Sequence, residues 1–240
     1  MGAEAAGDDG GSWTNRPRTL SIVIPALDEA ASIAAVVADA RRHADEVLVV
    51  DGGSRDDTPA RARAAGARLL QAPRGRAAQM NAGAASARGD VLLFLHADCR
   101  LPPDAGRAVR DAVSAGARWG RFDVRLDSAR RTLVVVGAMM NLRSRWTGIA
   151  TGDQAIFVDR ELWEAVEGFA PIPLMEDVEL CARLRRIARC ACLRERVVVS
   201  ARRWESRGVA RTIVEMWAWR AAYALGVPPE RLHRLYYGRR

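Results

Sequence analysis

Short apolar runs alternate with alanine-rich polar segments through the first half of the chain. Leu20–Pro25 is apolar and rich in β-branched residues, the pattern of a parallel strand covered on both faces. Residues 30–44 then read as a helix, with Ile33, Val36 and Val37 on its apolar side. Glu46–Val50 reads as a second strand running into Asp51-Gly-Gly-Ser. A short helix (58–65), a short strand (68–71) and a further helix (76–87) follow. Val91–Leu95 is the most apolar strand and ends at His96-Ala-Asp98. This alternation predicts an α/β fold, a Rossmann-like doubly wound, mostly parallel sheet with helices on both faces. Ligands of such sheets bind beyond the carboxyl ends of the strands, so the site is expected at 25–29, 51–57 and 96–98.

The second half is less regular. Helices are expected at 103–115, 132–145, 177–189 and 209–225, and strands at 119–126, 154–158 and 197–200. No internal repeat or linker divides the chain. The expected organisation is a disordered tail (1–17), one domain (18–207) and an amphipathic helical segment (208–240) packed on the domain or lying at a membrane surface. The first 15 residues lack the basic start and apolar run of a signal peptide, and no stretch approaches the length of an apolar bilayer span.

Charge and cysteine content change this picture little. All 37 basic residues are arginine, and the formal net charge of +8 favours anionic partners: nucleotide diphosphates, nucleic acid or an acidic membrane. No helix-turn-helix, zinc-finger or RNA-binding aromatic pattern supports nucleic acid. Cys99, Cys181, Cys190 and Cys192 form no C-x-x-C pair and have no His cluster beside them, which favours plain reduced thiols over a zinc site.

Chemistry concentrates at the strand ends. In Asp51-Gly-Gly-Ser-Arg-Asp-Asp-Thr the glycines allow a sharp turn and close approach of a ligand, and Asp51 can accept from a base N–H or a ribose hydroxyl. The same residues also suit a capped turn. Arg74 and Arg76 flank a glycine just before a helix, a setting for a diphosphate or for a solvated basic turn. Asp98 could hold a divalent cation through oxygen, or cap the next turn. Glu176 and Asp177 open a helix, where acidic residues also complement the helix dipole. Gly152-Asp153-Gln154 precedes a strand and could be only a turn.

Taken together and in order, these segments resemble the family-2 glycosyltransferases, the inverting enzymes of the GT-A fold, and among them small bacterial members. The matching residues are Ser21–Pro25 with Glu29, Val49–Thr58, Phe94–Asp98, Gly152–Gln154 and Glu176-Asp177, together with Arg74-Gly-Arg76-Ala-Ala-Gln-Met-Asn81. The resemblance implies transfer of a sugar from a UDP- or GDP-sugar to an acceptor hydroxyl, with Mg²⁺ or Mn²⁺ as cofactor. It implies that Asp177, with Glu176 beside it, supplies the catalytic base. Pro25, Glu29, Asp51, Gly52, Ser54, Arg74, Arg76, Asn81 and His96 would surround the nucleotide, and Asp98 would hold the metal. Gly152, Asp153, Gln154, Arg203 and Trp204 would lie toward the acceptor, a small molecule or a lipid such as an isoprenoid.

Two departures matter. His96 stands where relatives carry Asp, and only Arg203-Trp204 remains of the Gln-x-x-Arg-Trp of processive enzymes, so transfer of a single sugar is expected. The implied location is cytoplasmic or peripheral on the inner face of the plasma membrane. The competing function is a non-catalytic nucleotide-binding protein of the same fold.

Overall fold

The computed structural model describes residues 18–238. The parallel half forms as the pattern predicts: β1 (Leu20–Ala26), β2 (Glu46–Asp51), β3 (Arg68–Gln71) and β4 (Val91–Phe94) run parallel, connected by α1 (Ile33–Ala40), α2 (Thr58–Ala64) and α3 (Arg76–Ser86). Then come β5 (Cys99–Arg100), α4 (Ala105–Ser114), β6 (Trp119–Leu126), α5 (Arg131–Thr147), a 3₁₀ turn (Gly152–Gln154), β7 (Phe157–Asp159) and α6 (Arg160–Ala165). The remaining elements are α7 (Glu176–Ile187), β8 (Ala191–Val199), α8 (Arg202–Arg207), α9 (Val209–Ala224) and α10 (Pro229–Tyr237). The expected tail at 1–17 lies outside the described residues.

Among the described residues, eight strands make one sheet in the order β3-β2-β1-β4-β7-β6-β8-β5. It is mixed: β7 is antiparallel to both β4 and β6, and β5 is antiparallel to β8, while β6 and β8 are parallel. The strand expected at 154–158 is displaced, because Gly152–Gln154 forms the 3₁₀ turn and β7 begins only at Phe157. The strand expected at 197–200 is the end of nine-residue β8, whose exposed Arg194–Arg196 hides its first part from a hydrophobic pattern. The helix expected from residue 30 starts at Ile33, because the residues before it are held in a loop by side chains from the β2–α2 connection.

Alternation along the strands builds two core layers. Ile22, Ile24, Val49 and Leu93 face one side, with Val36, Val37, Val109 and Leu133 from α1, α4 and α5. Val23, Leu48, Val50, Leu92 and Phe94 face the other, with Met80 and Ala84 of α3 and Leu180 and Leu184 of α7. Ile213 and Met216 of α9 pack against the first layer, so the C-terminal segment docks on the domain. Trp217 and Val214 on the same helix stay exposed, and among the described residues no helix is long and apolar enough to cross a membrane.

One glycine sets how closely α3 approaches the sheet and therefore where its first turn lies. A Cβ on Gly83 would come within 2.3 Å of Val23 Cγ1 and 2.9 Å of Val50 Cγ2. Both neighbours are stiff β-branched side chains in the sheet. On an exposed helix Gly→Ala would stabilise by about 1 kcal/mol. Here Gly83→Ala is expected to destabilise by about 1–3 kcal/mol through overpacking. Urea unfolding reads the sign directly, and an unchanged or raised midpoint contradicts this packing.

Candidate active site

The carboxyl ends of β1, β2 and β4 open on one edge of the sheet, and two of their loops are laced together. Ser54, Thr58 and Asp56 side chains accept from the backbone N–H groups of Asp28, Glu29 and Ala30 at 2.9, 2.7 and 3.0 Å. Asp28 in return accepts from Arg55 N–H at 2.7 Å. Gln79, buried at the start of α3, donates to the carbonyls of Ala26 and Val50, both at 2.8 Å, and so ties the ends of β1 and β2 together. Gly52 lies under it, where a Cβ would come within 3.0 Å of the Gln79 amide. Pro25 is buried in β1 opposite Val50.

Several residues expected to touch substrate are turned into the protein instead. Asp51 is 1% exposed, and its carboxylate accepts from the N–H groups of Gly53 and Ser54, which holds the turn. Both ends of the Asn81 amide bond the backbone of Phe169. Gln154 is fully buried, donating to Ser144 Oγ at 3.0 Å and accepting from Thr151 N–H. Trp204 belongs to the core. A polar side chain turned inward must be hydrogen-bonded, and Asp51, Asn81 and Gln154 meet that demand within the protein. The Arg203 side chain lies outside the described residues.

The groups left facing the cleft come from four segments. His96, just after β4, places Nδ1 3.3 Å from Asp153 Oδ1. Its ring lies on Gly152, where a Cβ would come within 2.3 Å of Nε2. Gly152 N–H in turn donates to Asp177 Oδ2 at 2.8 Å. Met175, with a left-handed φ of 69°, turns the chain into α7 and presents Glu176 and Asp177. Glu176 is 3% exposed and pairs with Arg76 of α3 at 3.2 Å. Arg74 is exposed at the rim. Asp98 is also exposed, and with Arg100, Asp127, Ser200, Arg202 and Glu205 it lines a cavity of about 560 Å³.

The electrostatics divide these groups. Burial, reinforced by Glu176 and opposed by Arg76, pushes Asp177 up to about 6. Burial also raises Glu29, to which the nearby Asp98 adds. For His96, burial opposes the charge, but the hydrogen bond with Asp153 prevails and raises it. For Arg76, burial is likewise outweighed, here by Glu176 and Asp177, so it stays charged. Cys99 was read as a plain thiol, yet its sulfur gathers with His96 and Asp153 so that one ligand atom of each lies within 4.8 Å of the others. Burial, with Asp153 and Asp98 close by, holds the thiol well above its ordinary value, and it donates to Asp98 Oδ1 at 3.6 Å.

Sequence reasoning missed Gln79, Arg143 of α5, and Tyr223 and Tyr237 of the C-terminal helices. Tyr223 lies within electrostatic reach of Glu179 and Asp177, and Tyr237 within reach of Arg76. For Gln79 the available signal was a polar residue inside an otherwise small and apolar helix face.

The raised Asp177 has a stability signature. Its protonated form is favoured by the fold, so its stabilising contribution is complete below the unfolded value near 3.8 and is lost as pH rises through about 6. Asp177→Asn removes that loss. The variant's Tm is therefore expected to exceed the wild type's by a margin that widens from pH 4 to pH 7.5. A margin independent of pH contradicts the raised value.

Comparison with known proteins places this geometry. A family model described as glycosyl transferase family 2 matches residues 21–145. Glucosyl-3-phosphoglycerate synthase of Mycolicibacterium paratuberculosis is 36% identical over 98 residues, 35% of this chain and 30% of that protein, so the match spans under a third of that relative. The solved glucosyl-3-phosphoglycerate synthase of M. tuberculosis superposes with a TM-score of 0.56 at 25% identity, covering 76% of this chain and 71% of that one. A mannosyltransferase from Pyrobaculum calidifontis, solved with GDP-Man and Mn²⁺, shares the fold with a TM-score of 0.60 at 22% identity over 87% of this chain and 62% of that one. The matched segment carries β1, β2, β4 and α3, which border one side of the cleft, while the Gly152–Gln154 turn and α7 lie beyond it; the chain belongs to glycosyl transferase family 2.

Proposed function

We propose that this protein transfers a single sugar from a nucleoside-diphosphate sugar to an acceptor hydroxyl with inversion at the anomeric carbon, using Asp177 as general base and Mg²⁺ or Mn²⁺ as cofactor. The observation that carries this reading is the Asp177 carboxylate: pushed up to about 6, held by Gly152 N–H, and set across His96 and Asp153 from the nucleotide-side loops. A base tuned toward neutrality is still ionised at working pH and accepts a proton more readily than an ordinary carboxylate.

The residues fit the cofactor. Asp98 offers an exposed carboxylate to the cavity, and its charge adds to the cost of ionising Glu29 in a way that a cation relieves. Asp98 would be the main protein ligand, with His96 and Asp153 beside it; when bound, the ion stabilises charge on the departing diphosphate. Arg202, on the same cavity wall, adds positive charge there. The laced loops at 28–30 and 52–58 form the rim for the nucleoside, with Asp51 holding their shape from below. In the reaction the acceptor oxygen forms a bond to the anomeric carbon as the bond to the diphosphate oxygen breaks. The hydroxyl proton passes to Asp177. Attack from the face opposite the leaving group inverts the centre in one step. Glu176, neutralised by Arg76, orients the start of α7. Docking of α9 on the domain through Ile213 and Met216 favours an acceptor delivered from solution over one drawn from a membrane.

Asp177→Asn is expected to bind UDP or GDP as the wild type does and to lose about two to four orders of magnitude in transfer rate. The wild-type rate should fall below about pH 6 with a slope of one proton. Near-normal transfer by this variant, with an inactive Glu176→Gln, would move the base to Glu176. For the metal, excess chelator should abolish sugar release from the donor, and added Mn²⁺ or Mg²⁺ should restore it in the wild type but not in Asp98→Ala. Full activity in chelator contradicts the metal role.

A further inference from the structure

Cys190 and Cys192 flank the first residue of β8, and their sulfurs lie 4.0 Å apart. Both are partly exposed and line a cavity of about 420 Å³ beside the C-terminal ends of α5 and α7, with Arg145, Trp146, Arg185 and Arg189. None of the residues given a role in sugar transfer lines this cavity. Cys192 stands in register with Arg121 of the parallel strand β6.

The charge around Cys192 is unbalanced without it. Arg121 is fully buried, and both Arg121 and Arg145 pair with Asp123. Arg121 also donates to the Asn141 carbonyl at 3.2 Å, but its Nε is buried and has no hydrogen-bond partner among the described residues. Two guanidiniums thus share one carboxylate, and the Cys192 sulfur lies within reach of both. A thiolate there supplies a second negative charge and an acceptor beside the buried Arg121. The hydrogen bond with Cys190 holds Cys192 well below the ordinary thiol range against the effect of burial, and Arg121 and Arg145 add to it. The same bond, together with burial, keeps the proton on Cys190. Cys99 and Cys181 are the opposite case: both are fully buried, and burial and nearby carboxylates raise them, Cys181 to about 12.

We infer that Cys190 and Cys192 form a redox modification site: a peroxide oxidises the Cys192 thiolate, held by Arg121 and Arg145, and Cys190 closes a disulfide with it. The Cys192 sulfur attacks one peroxide oxygen, the O–O bond breaks and hydroxide leaves, giving a sulfenic acid. Cys190 loses its proton to that hydroxide, forming water. Its sulfur then attacks the Cys192 sulfur, the S–O bond breaks and a second hydroxide departs. The peroxide takes up the two electrons that the sulfurs lose. Cys190 precedes the first paired residue of β8, so the sulfurs can close from 4.0 Å to the disulfide length of about 2 Å by movement at residue 190.

The test treats the intact reduced protein with stoichiometric hydrogen peroxide, alkylates the remaining thiols after unfolding, and maps tryptic peptides by mass. Peptide 190–194 carries both cysteines. It should escape alkylation and be lighter by two hydrogens, while Cys99 and Cys181 are alkylated. Dithiothreitol should restore both thiols. Cys190→Ser should stop at a Cys192 sulfenic acid that dimedone traps, and Cys192→Ser should leave Cys190 a free thiol. Arg145→Gln leaves Arg121 alone on Asp123 and should slow disulfide formation about fivefold at about pH 6, where the thiolate fraction limits the rate. Alkylation of both cysteines in the treated wild type, earlier oxidation of Cys99 or Cys181, a sulfinic acid at Cys192 beside a free Cys190, or a link between two copies of the chain each overturns the inference. So does an unchanged rate in Arg145→Gln. Melting curves identify any variant that misfolds, and the wild-type peptide map then decides by itself.

Discussion

The site depends on the absence of a side chain at Gly152. The His96 ring occupies the space a Cβ would take, and that close approach lets Gly152 donate to Asp177 while its neighbour Asp153 reaches His96. Three segments far apart in sequence, the end of β4, the turn before β7 and the start of α7, are thereby fixed against one another. A larger residue at 152 would have to push the His96 ring away from Asp153 or the turn away from α7. The first movement would break the His96–Asp153 contact, and the second would take the backbone N–H from Asp177, which lowers its pKa.

Around this junction the charges are arranged in two groups. On the nucleotide side, Glu29 and Asp98 are carboxylates kept close together, with Arg202 on the cavity wall. On the other side, Arg76 balances Glu176, the backbone holds Asp177, and Arg143 lies within electrostatic reach of the Asp177 carboxylate. The first group suits a cation and a diphosphate, and the second suits a hydroxyl whose proton must leave. A net charge of +8 gave no hint of this division, because many of the arginines are consumed in pairs such as Arg121–Asp123 and Arg183–Glu179.

The parallel half of the fold was legible because its strands are short, apolar and separated by helices of clear period. Their ends lie side by side on one edge of the sheet. Residue type and chain position, however, do not tell which way a polar side chain turns. Asp51, Asn81 and Gln154 stand beside the cleft in sequence, yet each meets its hydrogen-bonding demand inside the protein. Gln79 and Arg143 carry the opposite lesson, since each sits in a helix whose pattern reads as packing, and only the third dimension shows which carbonyls or carboxylates lie opposite. The antiparallel strands were the hardest to read: β7 has three residues, and the middle of β8 is charged and exposed.

The central claim is a single displacement assisted by Asp177, and its stereochemistry can be read without knowing the acceptor. Slow hydrolysis of an α-linked donor, UDP-glucose or GDP-mannose, uses water in place of the acceptor hydroxyl. Proton NMR, recorded before the free sugar mutarotates, identifies the anomer first released. The account predicts the β anomer, formed by the wild type and lost in Asp177→Asn. Release of the α anomer would mean two displacements or front-face attack, and would contradict the role given to Asp177.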